Sequence, residues 1–365
     1  MLRILNIVSY LITILFLSNI LIALIFFPFE KKLRENFGSI PFNDKIIKVI
    51  GVENKKELRK FIYHTYTGSY YDYDEFVGWK ERKVKSKYFN VDQNGRFVLE
   101  RPSKCKRNVY IYGSSITFGY LSKDQNTIAS FLQKILIRNN YKNLCVYNHG
   151  RANFDSFREN LLLKKHIINE NLNQGDFVIF LDGSTELLPS SLIAKFKNDL
   201  KYQSNNFYNN FFYSFLQFLK STPLIRFYEI IESKLINKKS NLKVIHKNKI
   251  DNLIQDKKKL FSKNLEMRKN LCSNYNLNCF TFIEPNGYAI EEFKNKIIIN
   301  DQNIYYGKHI KKFYDEIKFI EGTLNISEMF NELTDVIYVD DIHLSPYASN
   351  IVAENIFLHI KKKIN

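Results

Sequence analysis

The sequence predicts a three-layer α/β/α sandwich around a parallel sheet, and three observations predict it. From Arg107 onward, short apolar, β-rich runs alternate with stretches of helical length. A small-residue loop, G-S-S-I-T-F-G at 113–119, directly follows the first of these runs. A second polar loop, V-D-D-I-H-L-S-P at 339–346, stands just before the last helical stretch. Sheets of this kind bind ligands at the carboxyl ends of their strands. Both loops are therefore candidates for one site.

The elements follow in order. No charge occurs between Arg3 and Glu30, and the run from Ile4 to Phe29 is almost wholly apolar. As a helix it would span about 39 Å, against about 30 Å of bilayer core, so residues 1–29 read as a transmembrane anchor. The run is too long for a secretory h-region, and no small-x-small cleavage site follows it. Residues 30–104 read as a juxtamembrane stalk with a helical stretch from Lys45 to Tyr63. A hairpin around Asn94-Gly95 follows, with the only tryptophan, Trp79, as a packing residue. Residues 105–365 form the main domain. Strands are predicted at 108–113, 144–149, 176–182, 278–284 and 335–339, and helices at 125–139, 155–171, 257–272 and 345–362. A polar-aromatic helical insertion at about 188–256 interrupts the alternation.

Composition excludes several classes. With 365 residues, 45% hydrophobic and 25% charged, the chain is not mainly disordered, collagen-like or a disulfide framework. The formal net charge of +17 would suit a nucleic acid, an anionic membrane surface or an acidic glycan. The lysines are scattered and no nucleic-acid-binding motif is present, so no nucleic-acid partner is expected. Cys105 and Cys145 lie beside predicted strands and are expected to be free and buried. Cys272 and Cys279 are close enough in sequence to bridge in an oxidising compartment.

The two loops carry the chemistry. A strand-to-helix turn of small residues lets a serine hydroxyl project at the sheet edge beside free backbone N–H groups. A D-x-x-H turn supplies an imidazole and the carboxylate that orients it. Asp340 and His343 have that spacing, with Asp341 as the adjacent alternative. Ser345 before Pro346 reads as the cap of the final helix. The loop at 113–119 does not match the G-x-S-x-G elbow of α/β-hydrolases.

Together these pieces resemble the SGNH hydrolase superfamily, the GDSL esterases and lipases with a flavodoxin-like sandwich, over about residues 107–362, the family's four sequence blocks falling in order at 113–115, 148–153, 183–186 and 340–343. The resemblance implies Ser115 as nucleophile, His343 as general base and Asp340 as its orienting acid. It also implies an oxyanion hole from backbone N–H groups of Ser115 and Asn153 with help from Thr185. Two positions depart from the family pattern: Asn153 stands where the second block ends in glycine, and Thr185 replaces an asparagine amide. Glu186 is expected to support that loop. His149 and Arg151 flank the second block and are candidate substrate contacts, whereas His166 is expected on a helix surface. Neither metal-ligand spacing nor a phosphate-cradling loop occurs, so no cofactor and no metal are expected.

The implied function is a membrane-anchored serine esterase acting through an acyl-serine on O-acyl groups of an envelope glycan. An O-acetyltransferase with the same triad, or a catalytically weak glycan-binding or assembly protein, is the alternative. Lys31, Lys32 and Arg34 after the span favour a cytoplasmic domain by local charge count. Large domains translocate largely regardless of charge, and the resemblance places the catalytic domain outside the cytoplasm.

Overall fold

The computed structural model describes residues 6–7, 9–10, 13–24, 44–62, 65, 71–187, 222, 247–289, 304–340 and 342–364. The chain divides into two compact units, 1–38 with 201–249, and 39–200 with 250–365. In the first unit residues 13–24 are helical, with Ile14, Leu15, Phe16 and Leu17 exposed. No helix among the described residues is long and apolar enough to cross a membrane, and the predicted anchor lies partly outside them. Most of the predicted insertion at 188–256 also lies outside the described residues.

The second unit carries the sandwich. Its elements are α1 (Asp44–Ile50), α2 (Lys55–Ile62), β1 (Tyr71–Asp74), β2 (Gly78–Glu81), β3 (Val84–Lys85), β4 (Asn90–Asp92), β5 (Gly95–Arg96), β6 (Arg107–Gly113) and α3 (Ser115–Phe118). There follow α4 (Ile128–Arg138), β7 (Leu144–Asn148), α5 (Ser156–Ile168), β8 (Phe177–Asp182), α6 (Lys247–Asn274), β9 (Asn278–Ile283), α7 (Ile304–Ile317), β10 (Leu324–Asn325) and α8 (Pro346–Ile364). The main sheet runs β10-β9-β8-β6-β7-β5-β4-β3. Its pairs from β10 to β7 are parallel, and β5, β4 and β3 extend it antiparallel. The predicted hairpin is thus part of the sheet, with Asp92 opposite Gly95, so its turn is Gln93-Asn94.

Alternation along the strands builds the layers. Val109 and Ile111 of β6, with Phe177 and Ile179 of β8, pack with α4 and α8 on one face. Tyr110, Tyr112, Val178 and Phe180 pack on the other with Leu162 and Leu163 of α5 and with Trp79. Trp79 is fully buried, as a packing residue should be. It reaches that face from the two-stranded ribbon β1–β2.

Three expectations need correction. The run at 335–339 is not a strand: it folds back on itself through a single bridge between Tyr338 and Leu344, and β10 takes the edge beside β9. Cys105 and Cys145 are not free but disulfide-bonded, because the chain entering β6 runs beside β7 and brings their Cα atoms to 5.7 Å. Cys272 and Cys279 form the second bridge, joining the end of α6 to β9. Finally, His166 is half-buried rather than simply exposed on a helix surface. The last turn of α5 presses it between Tyr112, whose hydroxyl lies 2.6 Å from its Nδ1, and His149, with ring centroids 4.4 Å apart.

Candidate active site

The site begins where β6 ends. A Cβ on Gly113 would lie 2.0 Å from Thr117 Oγ1 and 3.0 Å from the Leu181 carbonyl, so only glycine lets the chain turn here against β8. The Ser114 hydroxyl then caps α3, accepting the Ile116 N–H at 3.4 Å, and Gly119 ends the turn at φ 83°. Ser115 is left partly exposed at the carboxyl edge of the sheet.

Opposite it, the 337–345 segment doubles back: the Val339 N–H donates to the His343 carbonyl at 2.8 Å and the Ser345 N–H to Ile337 at 2.8 Å. Asp340 Oδ1 accepts the N–H groups of Ile342 at 2.9 Å and His343 at 2.7 Å, a local turn that fixes its carboxylate. Its Oδ2 lies 2.7 Å from His343 Nδ1, and His343 Nε2 lies 3.0 Å from Ser115 Oγ. Burial pushes the Asp340 carboxyl up, but the imidazole and the two N–H donors outweigh it and hold the group below its ordinary value. A carboxylate therefore faces Nδ1, leaving Nε2 to accept the serine proton. Ser345 caps α8 as expected, accepting the Ala348 N–H at 3.2 Å. The alternative acid Asp341 lies outside the described residues. Tyr120, which carried no sequence signal beyond following Gly119, stacks on the His343 ring at 5.6 Å.

The second and third blocks converge on the same edge. Buried Asn148 accepts the Gly150 N–H at 3.0 Å and donates to the Thr117 carbonyl at 2.8 Å, tying the loop after β7 to α3. The approach is so close that a Cβ on Gly150 would sit 2.3 Å from the Phe118 nitrogen. The Arg151 N–H then bonds the Gly113 carbonyl at 2.9 Å, and the exposed Asn153 adopts φ 60°, a left-handed conformation that asparagine tolerates. No protein group accepts the Asn153 N–H among the described residues. Thr185 is partly exposed on the short turn Ser184–Leu187 after β8, beside β6. Glu186 supports that turn by accepting the Ser156 N–H at 2.6 Å and hydroxyl at 2.9 Å.

His149 and Arg151 stand apart from this centre. With His166, Lys80, Arg82 and Gln93 they border a cleft of about 500 Å³ that neither Ser115 nor His343 lines. Arg151 is paired to Glu81 at 3.0 Å, and His149 stacks on Tyr110 at 5.8 Å. Burial, then the neighbouring charges, drives both histidines below their ordinary range, so they are neutral there.

Beneath the serine loop lies Glu284, fully buried, 3.4 Å from Ser184 Oγ. Burial, with Asp182 nearby, pushes its carboxyl up to about 8. A buried acid with a raised value binds its proton more tightly folded than unfolded. Its contribution is present below about pH 4.5 and is lost as pH rises toward 8. The Glu284→Gln variant should therefore gain stability relative to the parent between pH 5 and pH 9, by a few kcal/mol in order of magnitude. Urea unfolding at both pH values checks this; a constant difference would leave Glu284 ordinary.

No family model matches the sequence, and no curated protein matches it. Solved structures do resemble the chain. TesA is 11% identical with a TM-score of 0.38, the match covering 70% of this chain and 99% of that one. The lipase Lip_vut3 from a goat rumen metagenome is 11% identical with a TM-score of 0.41, covering 69% and 97%. A lipase/acylhydrolase from Enterococcus faecalis is 13% identical with a TM-score of 0.38, covering 70% and 96%. The geometry of Ser115, His343 and Asp340 carries the functional reading.

Proposed function

We propose that this chain is a serine ester hydrolase of the SGNH type, working through an acyl-serine intermediate. The observation that carries the reading is the hydrogen-bonded series Ser115–His343–Asp340 at the carboxyl edge of the sheet. Ser115 Oγ attacks the ester carbonyl while His343 Nε2 takes its proton. The same imidazolium, stabilised by Asp340, returns that proton to the leaving alcohol, and a water then repeats the sequence on the acyl-serine. The oxyanion falls to the backbone N–H groups of Ser115 and Asn153 and to Thr185. A fluorophosphonate probe tests the reading: mass spectrometry should find it on Ser115, and an unlabelled protein, or label on Ser114, would refute the assignment.

The substrate we propose is an O-acyl group on an envelope glycan, met outside the cytoplasm by a domain held through the apolar segment at 1–29. Two disulfides suit an oxidising compartment, and a +17 charge favours anionic surroundings. Protease added to intact spheroplasts should remove the domain; full protection would reject this placement.

Thr185 sets the rate in this scheme. Its hydroxyl reaches less far than the amide it replaces, so Thr185→Asn should raise kcat on a small activated ester. Thr185→Ala should lose less than the roughly 100-fold that removal of a well-aimed donor costs. Equal kcat for all three proteins would assign the third oxyanion position to another group.

A further inference from the structure

The ribbon β1–β2 lies outside the region that carries the four sequence blocks, yet it grips the loop on which the oxyanion donor sits. Trp79 Nε1 donates to the Ala152 carbonyl at 3.1 Å, in a fully buried contact. That carbonyl and the Asn153 N–H belong to one peptide group. No cis peptide occurs among the described residues, and in a planar trans peptide the C=O and N–H point in opposite directions. Fixing the carbonyl at one end therefore aims the N–H at the other. A hydrogen bond received by the carbonyl also polarises the group and makes its N–H a stronger donor.

The same ribbon also holds the residues on either side of this peptide. Arg151 Nη1 donates to the Trp79 carbonyl at 2.6 Å and Arg151 Nε pairs with Glu81 at 3.0 Å, so the residue before Ala152 is bound to the same strand. Phe154, on the far side of Asn153, meets the indole edge to face at 5.2 Å. On the same ribbon, the hydroxyl of Tyr71 lies 2.6 Å from that of Tyr120, the residue stacked on His343. Asn153 itself, at φ 60°, has an exposed side chain, so the hold on this peptide comes from its neighbours.

We propose that Trp79 is a positioning residue for ester hydrolysis, its indole N–H holding the Ala152–Asn153 peptide so that the Asn153 N–H meets the developing oxyanion. The proposal rests on the serine hydrolase reading and extends it to a strand outside the four-block region. Because Trp79 is the only tryptophan, growth on 3-(3-benzothienyl)alanine replaces this indole alone, exchanging N–H for sulfur while keeping the shape. Hydrolysis of p-nitrophenyl acetate is measured for the parent, the isostere, Trp79→Phe and Ser115→Ala, with thermal unfolding alongside. Both Trp79 proteins should show kcat lowered about 10- to 100-fold, within the cost of losing an oxyanion donor outright, with KM unchanged. The isostere should unfold at the parent's temperature, which separates aim from packing. Ser115-dependent hydrolysis with unaltered kcat in the isostere would overturn the proposal and leave the hydrolase reading standing. No Ser115-dependent hydrolysis in the parent would overturn both.

Discussion

Ser115→Ala should lower ester hydrolysis by roughly a million-fold while leaving the fold intact. A nucleophile and its base act as a unit, so removing the hydroxyl removes covalent catalysis entirely and leaves only what binding and the oxyanion donors supply. The side chain is partly exposed and its hydroxyl bonds His343 alone among the described residues, so unfolding should shift little. Ser114→Ala is the informative neighbour. Its hydroxyl caps α3 rather than meeting His343, so it should cost stability of about 1 kcal/mol and only a small part of the rate. Equal losses from both serines would move the nucleophile off Ser115.

Arg268→Ala should cost about 3 to 5 kcal/mol of stability, read as a lower urea midpoint. The guanidinium, 3% exposed, forks onto both oxygens of Asp182 at 2.5 and 3.2 Å. Its remaining donors reach Glu159 at 3.2 Å, Thr281 at 3.0 Å and Asn160 at 2.9 Å, and its face lies 3.6 Å from the Phe180 centroid. Truncation leaves the buried Asp182 without its cation, immediately before the loop bearing Thr185. Asp182→Asn in the same chain should recover part of the loss. Lys312→Ala, which breaks the exposed pair with Asp251, should change stability by less than about 1 kcal/mol. If the two single variants cost the same, the buried network is not holding α6 to the sheet.

What was legible in the sequence was local. The β6-to-β9 strands and their helices declare themselves by runs and spacing. Ser115, Asp340 and His343 sit in short loops whose turn chemistry needs only nearby residues. The features that escaped depend on contacts between distant segments. Cys105 meets Cys145 because two parallel strands lie side by side, and His166 is half-buried because α5 crosses Tyr112. The β-rich run at 335–339 has the composition of a strand, but the D-x-x-H turn takes its hydrogen bonds, and the modest Leu324–Asn325 wins the edge. Trp79 was readable as a buried residue, whereas the partner of its N–H was not.

The nucleophile and its base are 228 residues apart in sequence, and that separation orders events in time. Strands β6, β7 and β8 form one contiguous stretch that can collapse early, but the imidazole arrives only when the segment before α8 docks, a non-local closure that folds late. During synthesis, a chain with its serine loop already shaped would be inert toward esters until its final helix seats. Catalytic competence is then a readout of completed folding, and a partial opening that peels away α8 would silence the enzyme while most of the sheet stays protected from hydrogen exchange.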